Sequence, residues 1–588
     1  MNNPVNQLRY SLSIDPEDWG INSNGENPAE TTQGFNDAVQ YAAQQSLSHV
    51  YIPKGDYLID AVSKFGRLPE FGGGIRIPSN MEIEMHPEAR FRVLPNSSQG
   101  YSCFYVGKAE NVKISGGKII GDRDLHDYTV PEGSLKKTHE WGFGIHIHGS
   151  RNVLIEHVHI SDCIGDNIWI AADGMMNWSG TYTPAKSVTV KKCVLTRGRR
   201  NNLATNGCEG LLVEDNDIEE AGGAEIGPQL GIDLEGYGDK GVKYDHPYEL
   251  RIVGNRFRNN GRGAFRAHTS GKVIVEGNFS DDVFSYGYST DVLIKDNHII
   301  NESGSLKDYG IDSIGVSSTE TGNRVNISGN TIRGFRTGIC ARGKGVIVNE
   351  NTLEEITSVA IHAYQCEDVL ITGNRIDGNC IHFQVQLGLD VTISNNKSKG
   401  SADKYTIKLM DSDTVSLSNN KTKGYGGLYC ERSTGVQAMR NDFTLTASGY
   451  GVFWEKQSEV HLEGNIIRNA QNTAILGYAD RYISFIRDNR IIDCKAIIAL
   501  HLIGGRAHSI FGNTLLFNRT KDQGYGVYLD GTDGTRLIQN EIHSVSDKKL
   551  TYSFYTEKAN SSELIYNTYS CGVVKTAEND LLIEYTRR

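Results

Sequence analysis

The sequence predicts an all-β chain folded as a right-handed, single-stranded parallel β-helix of about seventeen coils, capped at its N-terminus by a helix and a strand. Three observations predict it. A segment of the form V-x-I-x-x-N-x-I returns along the chain, as in GLLVEDNDI, KVIVEGNFS, DVLIKDNHI, RVNISGNTI, DVLITGNRI and EVHLEGNII, and its Asn recurs mostly every 21 to 27 residues. A shorter alternating segment precedes most copies, as in GIHIHG, NIWIAA, GIDLEG and AIHAYQ. Gly is plentiful (65) and Pro scarce (12), which suits tight corners joined by uninterrupted ladders.

Alternating apolar and polar residues bury one face of a strand. A period near 23 with no helical pattern between strands leaves stacked parallel coils as the solution. Each Asn then falls at one corner, where it tolerates a tight turn and can bond to its copies above and below. At about 4.8 Å per coil the stack would be on the order of 80 Å long.

In chain order, MNNPVNQLRYSLSIDPEDW carries no apolar signal core, and no run of eighteen apolar residues exists to span a membrane. Residues 1–106 are the cap and first coils: NPAETTQGFNDAVQYAAQQ reads as a short amphipathic helix and HVYIPKGDYLI as a strand. They would cover the solenoid end, whose backbone edge is otherwise unpaired. Residues 107–575 are the β-helix, starting at NVKISGGKI and passing through the weaker copies NVLIEHVHI and SVTVKKCVL. Asn spacings of 39 and 33 mark insertions, and one of 19 a clipped coil. Residues 576–588 leave the repeat as a C-terminal tail. No linker interrupts the pattern, so a single domain with a cap is expected.

The net charge of −11 argues against nucleic acid, whose phosphates need a basic footprint, and makes a densely anionic polymer less natural. The ten Cys sit singly, without CxxC pairs, and read as small buried hydrophobes.

In the shorter segments the first Ile or its equivalent points inward, so the residues after it alternate outward and inward. The outward column reads His146 and His148, Trp169, Asn206, Asp233 and Glu235, Arg266 and His268, then Asp312, Arg342, His362, Tyr364, His382 and Gln384. Insertions after 172, 221 and 236 would wall a groove beside it. Asp233 and Glu235 are i and i+2 on one strand, so their Cα atoms are about 6.6–7 Å apart. That suits the roughly 6.5–9.5 Å carboxyl spacing of inverting glycosidases, with one acid protonating the leaving oxygen and the other activating water.

Asp166, in GDN, and Glu225, in the loop before Asp233, are reserve acids. Arg199, Arg200, Arg266 and His268 would orient substrate or drive the carboxylate pKa values apart, and Trp169 would stack on a sugar. Asp312, about 10 Å further along by strand spacing, reads as a binding residue. His146 and His148 point as a metal pair would, without a third ligand, so no metal is expected. The bland alternatives are solvated surface carboxylates and a structural ion pair for Arg199 and Arg200.

The helix–strand start and the Asn-cornered coils resemble the pectate-lyase-like β-helix superfamily. Within it, HEWGFGIHIHGS, GDNIWIAADG, RGRRNNLATNG and GIDLEGY resemble phage tailspikes and pre-neck appendage proteins. The resemblance covers nearly the whole chain as fold but is motif-specific only between about residues 139 and 270. It implies a polysaccharide or teichoic-acid-like glycan as partner, an extracellular or virion-associated location, and a homotrimer. Three functions follow: an endo-acting glycoside hydrolase, a lyase or epimerase on a uronic-acid polymer that would need Ca²⁺, and a non-catalytic glycan-binding adhesin.

Overall fold

The computed structural model describes residues 10–62, 73–130, 132–134, 137–174, 182–223, 226–239, 242–303, 305–314, 324–479, 482–520 and 522–583. The chain divides into two units, Met1–Ser303 and Gly304–Arg588. Both are parallel β-helices, in which a strand pairs with its counterparts one coil before and one coil after.

In the first unit the predicted helix is Pro28–Gln44, with Pro in its first turn, where the missing N–H costs nothing. It buries Phe35, Ala38, Val39 and Ala42, and the Phe35 ring meets those of Tyr57 and Phe91. The predicted capping strand is two strands, His49–Ile52 and Asp56–Ile59, both paired with Met81–Val93. A corner at 53–55 separates them, fixed by the Tyr57 hydroxyl donating to the Pro53 carbonyl at 2.9 Å.

A complete coil holds three strands. Leu230–Glu235, Tyr248–Val253 and Arg256–Arg258 make one coil, paired in turn with Gly263–His268, Gly271–Glu276 and Phe279–Ser280 of the next. The third strand is short and carries the last apolar residue of the motif, such as Ile218 or Phe257, into the core.

The repeated Asn performs only half of its expected task. The left-handed corner belongs to the residue before it, as at Asp215 (φ 54°), Gly254 (67°), Glu350 (56°) and Gly373 (68°). The Asn itself is buried and forms the ladder. In the first unit Asn216, Asn255, Asn278 and Asn297 are linked Nδ2 to Oδ1 at 2.8, 3.1 and 2.9 Å. In the second unit the ladder runs from Asn330 to Asn567, its links between 2.9 and 3.0 Å. Each Oδ1 also accepts the backbone N–H of the preceding Asn, as Asn374 does from Asn351 at 3.0 Å.

Two further expectations are corrected in the second unit. Pairing continues past residue 575, because Leu581–Ile583 pairs with Glu563–Ile565. His382 is not in the outward column: Ile361 faces Phe383 and His362 faces Gln384, so His382 lies two residues earlier at the corner. There it is fully buried, with Nε2 3.2 Å from the Gly378 carbonyl. All ten cysteines are buried and free. Among the described residues no helix is long and apolar enough to cross a membrane.

The ladder makes one substitution costly. Asn374→Ala strips two acceptor bonds from Asn351 and leaves the Val348 and Thr372 carbonyls without their Nδ2 donor. At about 1–3 kcal/mol per buried group left unpaired, a loss of roughly 2–5 kcal/mol is expected in denaturant unfolding. Exposed Arg375→Ala, next along the chain, should change the unfolding midpoint little.

Candidate active site

Alternation on the first strand of each coil builds two adjacent outward columns in the first unit. His146, Trp169, Ala204, Asp233 and Arg266 are successive register partners in one. His148, Ala171 and Asn206 belong to the other, as do Glu235 and His268. Outward does not mean exposed here. Asp233 is 1% exposed, and His146, Trp169, Asp166 and Asn206 are buried as well.

The loop between Glu110–Ile120 and Trp141–His148 ends at the cleft with Glu140. Arg123 clamps it onto two other coils by donating to the Arg197 carbonyl at 2.7 Å and the Gly222 carbonyl at 2.6 Å. Inside it, Asp122 accepts from His126 Nδ1 at 2.7 Å and from both nitrogens of Asn96, and His126 Nε2 lies 2.9 Å from His139 Nδ1. This buried chain fixes the segment that ends in Glu140 and Trp141.

A narrow cleft is lined by Glu140, Trp141, Phe143, Asp166, Trp169, Arg200, Asn206 and Glu235. Arg200 is its centre. Its Nη1 donates to Asp166 Oδ2 at 3.1 Å and its Nη2 to Glu235 Oε2 at 3.2 Å, while Nε lies 3.7 Å from Glu140 Oε2. Burial works against this charge, but the carboxylates of Asp166, Glu235, Asp233 and Glu140 outweigh it and raise the guanidinium pKa further. The corner behind is a second amide network: Asn167 Nδ2 donates to Asn202 Oδ1 at 2.8 Å, and the Asn201 N–H to Asp166 Oδ1 at 3.0 Å.

The acids differ in environment. Burial pushes Asp233 up to about 7, helped by the Glu235 charge and opposed by Arg200 and Arg266. Its Oδ1 is buried without a hydrogen-bond partner, as is Nε of Arg266, its neighbour on the next strand. Burial raises Asp166 to about 6 against the pull of Arg200, but both its oxygens are engaged. The Glu235 side chain is 28% exposed at the mouth.

The structure gathers Asp166, Asp233, Glu235, Arg200 and Arg266 and separates several other candidates from them. Arg199 turns into the covering loop, donating to the His139 carbonyl at 2.7 Å with its guanidinium 4.1 Å from the Tyr128 ring. Trp169 is no open plate. It stacks between Phe143 and His146 at 4.6 Å from each, and its Nε1 donates to Asn206. The partly exposed Trp141 is the ring that borders the cleft.

His146 and His148 stack on each other at 5.4 Å, and His148 faces Tyr105 and Asp173. Burial depresses His148 and His268 despite their acidic neighbours Asp173 and Glu235. Glu225 lies outside the described residues, and Asp312 belongs to the second unit. Glu140, Trp141 and the Asp122–His126–His139 chain escaped the sequence reading, although HEWGFG directly precedes the first outward His.

Arg200 occupies the point between three carboxylates where calcium would have to sit, so the cleft does not fit that ion. Among the described residues, His49, Glu82 and Glu84 are close enough to share an ion. There Ser11 already meets His49 and Lys113 meets Glu82.

Residues 95–278 match the family described as Right handed beta helix region, and residues 307–480 and 389–521 match that of the periplasmic copper-binding protein NosD. The chain is 58% identical over 582 residues to the SPbeta prophage-derived uncharacterized protein YorA of Bacillus subtilis strain 168, covering 98% of this chain and 99% of that protein. It is 33% identical over 521 residues to the uncharacterized protein YclG of the same strain, covering 86% and 88%. Among solved structures, pre-mature bacteriophage phi29 gene product 12 aligns with 95% of this chain and 73% of its own at 13% identity and TM-score 0.48. The tailspike of E. coli bacteriophage HK620, solved with a pentasaccharide, aligns over 96% and 81% at 13% identity and TM-score 0.40.

The raised Asp233 pKa has a stability consequence of definite sign. Its folded value exceeds its unfolded one, so the folded state is favoured below the ordinary carboxylate range and loses that advantage as pH rises through about 7. Asp233→Asn should therefore melt above the unaltered chain at pH 8, and the difference should shrink toward pH 5 in thermal scans.

Proposed function

The chain belongs to the family of YorA and YclG, and for it we propose endo-acting glycoside hydrolysis of a cell-surface or extracellular polysaccharide, with Asp233 as general acid and Glu235 as general base. The observation that carries this reading is the contrast between two carboxyls on one strand face. One is buried and pushed up to about 7, while the other sits at the cleft mouth against Arg200. A buried acid that keeps its proton up to about pH 7, beside a second carboxyl at the mouth, is what acid–base hydrolysis at neutral pH requires.

In the proposed step the Asp233 carboxyl gives its proton to the glycosidic oxygen as the bond to the anomeric carbon breaks. Glu235 takes a proton from a water that attacks the same carbon from the opposite face. The separation set by strand rise, about 6.6–7 Å between Cα atoms, leaves room for that water and favours inversion over a covalent intermediate. Substrate must displace the mostly buried Glu235–Arg200 pair to reach Asp233. Arg266, with an uncommitted Nε, would then hold the leaving sugar, and Trp141 would pack against a ring. Asp166 is assigned to positioning, since both its oxygens hold the Arg200 corner.

The prophage origin in YorA's name supports a virion-associated or extracellular place of action, and a homotrimer is part of the proposal. A calcium-dependent lyase is disfavoured by the guanidinium at the centre of the acids.

Digestion of surface polysaccharide from Gram-positive cells should release new reducing ends without ultraviolet-absorbing unsaturated ends, and chelation should not slow it. Asp233→Asn and Glu235→Gln should each cut the rate by about 10²-fold or more. Cleavage should also decline as pH rises through about 7, where the acid loses its proton. Unsaturated ends would favour elimination. Binding without either kind of end would favour an adhesin.

A further inference from the structure

We propose that the second unit carries a carbohydrate-binding track for a neutral, hydroxyl-rich glycan chain, built from residues none of which line the cleft. It adds a holding surface to the chain and does not depend on the cleavage proposed above. On the first strands of its later coils, Lys408, Tyr429, Phe453, Leu476, His501, Tyr528, Tyr555 and Lys575 are successive register partners. One outward column thus carries flat or apolar side chains on six consecutive coils, with a lysine at each end.

The rings form a surface. Tyr429 and Phe453 have centroids 5.4 Å apart, His501 and Tyr528 stack at 4.5 Å and 6°, and Tyr528 meets Tyr555 at 5.0 Å. Lys408 lies over Tyr429 at 5.8 Å and Lys575 over Tyr555 at 5.3 Å. These tyrosines, Phe453 and His501 are part-exposed, with their ring edges toward solvent, and Leu476 between Phe453 and His501 is buried. His501 Nε2 is buried without a partner.

The neighbouring column supplies the polar half. Glu431 and Glu455 are register partners, as are Asp530 and Glu557. The Tyr429 hydroxyl donates to Glu431 and to Glu455 at 2.7 Å, and the Tyr528 hydroxyl donates to Glu557. Part-exposed rings beside two pairs of carboxylate acceptors match a sugar chain, which offers apolar C–H groups to rings and hydroxyl donors at its edge. A coil spacing of about 4.8 Å is of the order of one pyranose ring, so successive sugars meet successive side chains. The acidic pair Asp530 and Glu557 disfavours uronic or phosphate polymers, whereas Glu431 and Glu455 already face Arg432 and Lys456. These charges would also be costly to desolvate against a second copy of the chain, since interface cores are depleted of charge.

The test is affinity electrophoresis of the full chain through gels cast with laminarin, dextran or hydroxyethyl cellulose, with polygalacturonate as the charged control. At least one neutral glucan should retard the chain and polygalacturonate should not. Phe453→Ala and Tyr528→Ala should each weaken the retardation about fivefold or more, while Tyr528→Phe keeps it. Should an alanine variant fold poorly, Tyr555→Ala on the next coil takes its place and should weaken retardation likewise. Asp233→Asn should leave retardation intact, so a failure of the cleavage reading and a failure of this one are separable. The proposal is overturned if no neutral glucan retards the chain or if both alanine variants are retarded normally. It is likewise overturned if light scattering shows those variants dissociating an oligomer, which would make the track a contact between copies.

Discussion

A buried amide must make all of its hydrogen bonds at once, and in each unit the coil geometry follows from that demand. An interior ladder Asn such as Asn255 gives its Nδ2 protons to carbonyls and to the next Asn, whose Oδ1 takes two N–H bonds from it. The links stay near 3 Å whether the sequence separation is 39, 23 or 19 residues, as at Asn216–Asn255, Asn255–Asn278 and Asn278–Asn297. Extra residues therefore cannot be absorbed at this corner. They are expelled elsewhere in the coil, and the antiparallel pair Tyr237–Asp239 and Val242–Asp245 is what the longest spacing produces. The loops beside the cleft follow from a rule about a corner that never touches it.

The same demand explains what was legible in the sequence. A ladder that repeats Asn every coil writes itself as a period, and alternation gives inward and outward faces, so the fold and the Asp233–Glu235 column could be read directly. Burial of that column could not. It depends on side chains from separate coils that close over it, such as Phe143 and His146 on Trp169 and Arg200 on Glu235, and such contacts leave no periodic mark. Choosing Arg200 over Arg199 failed for a similar reason, since adjacent residues at a corner diverge by backbone direction alone. His382 was misplaced because its coil reaches its inward position two residues later than the pattern Ile-His suggests.

Within the cleft, several acids share one guanidinium. Removing Arg200 from water is expensive and is justified electrostatically only by the negative charge around it. Burial, with the Glu235 charge behind it, keeps Asp233 from ionising easily, while Arg200 and Arg266 pull the other way. A surface column with the same residues in open solvent would have ordinary acids and no chemistry. Burial, rather than the carboxylates themselves, converts a polar stripe into a candidate catalyst.

This separates two kinds of outward position on one scaffold. Inward residues and corner amides determine whether a coil forms, so an outward residue that stays in water is nearly free to vary. Tyr528, half-exposed beside Glu557, is of that kind, and its ring adds little to the core. Asp233 is of the other kind, because the cover over it makes its charge a cost to folding. A destabilising acid in a β-helix whose neighbouring outward sites tolerate change is therefore itself a sign of selection for something other than stability. By that criterion the cleft is the place where the fold concedes stability, and the aromatic column is a place where it does not have to.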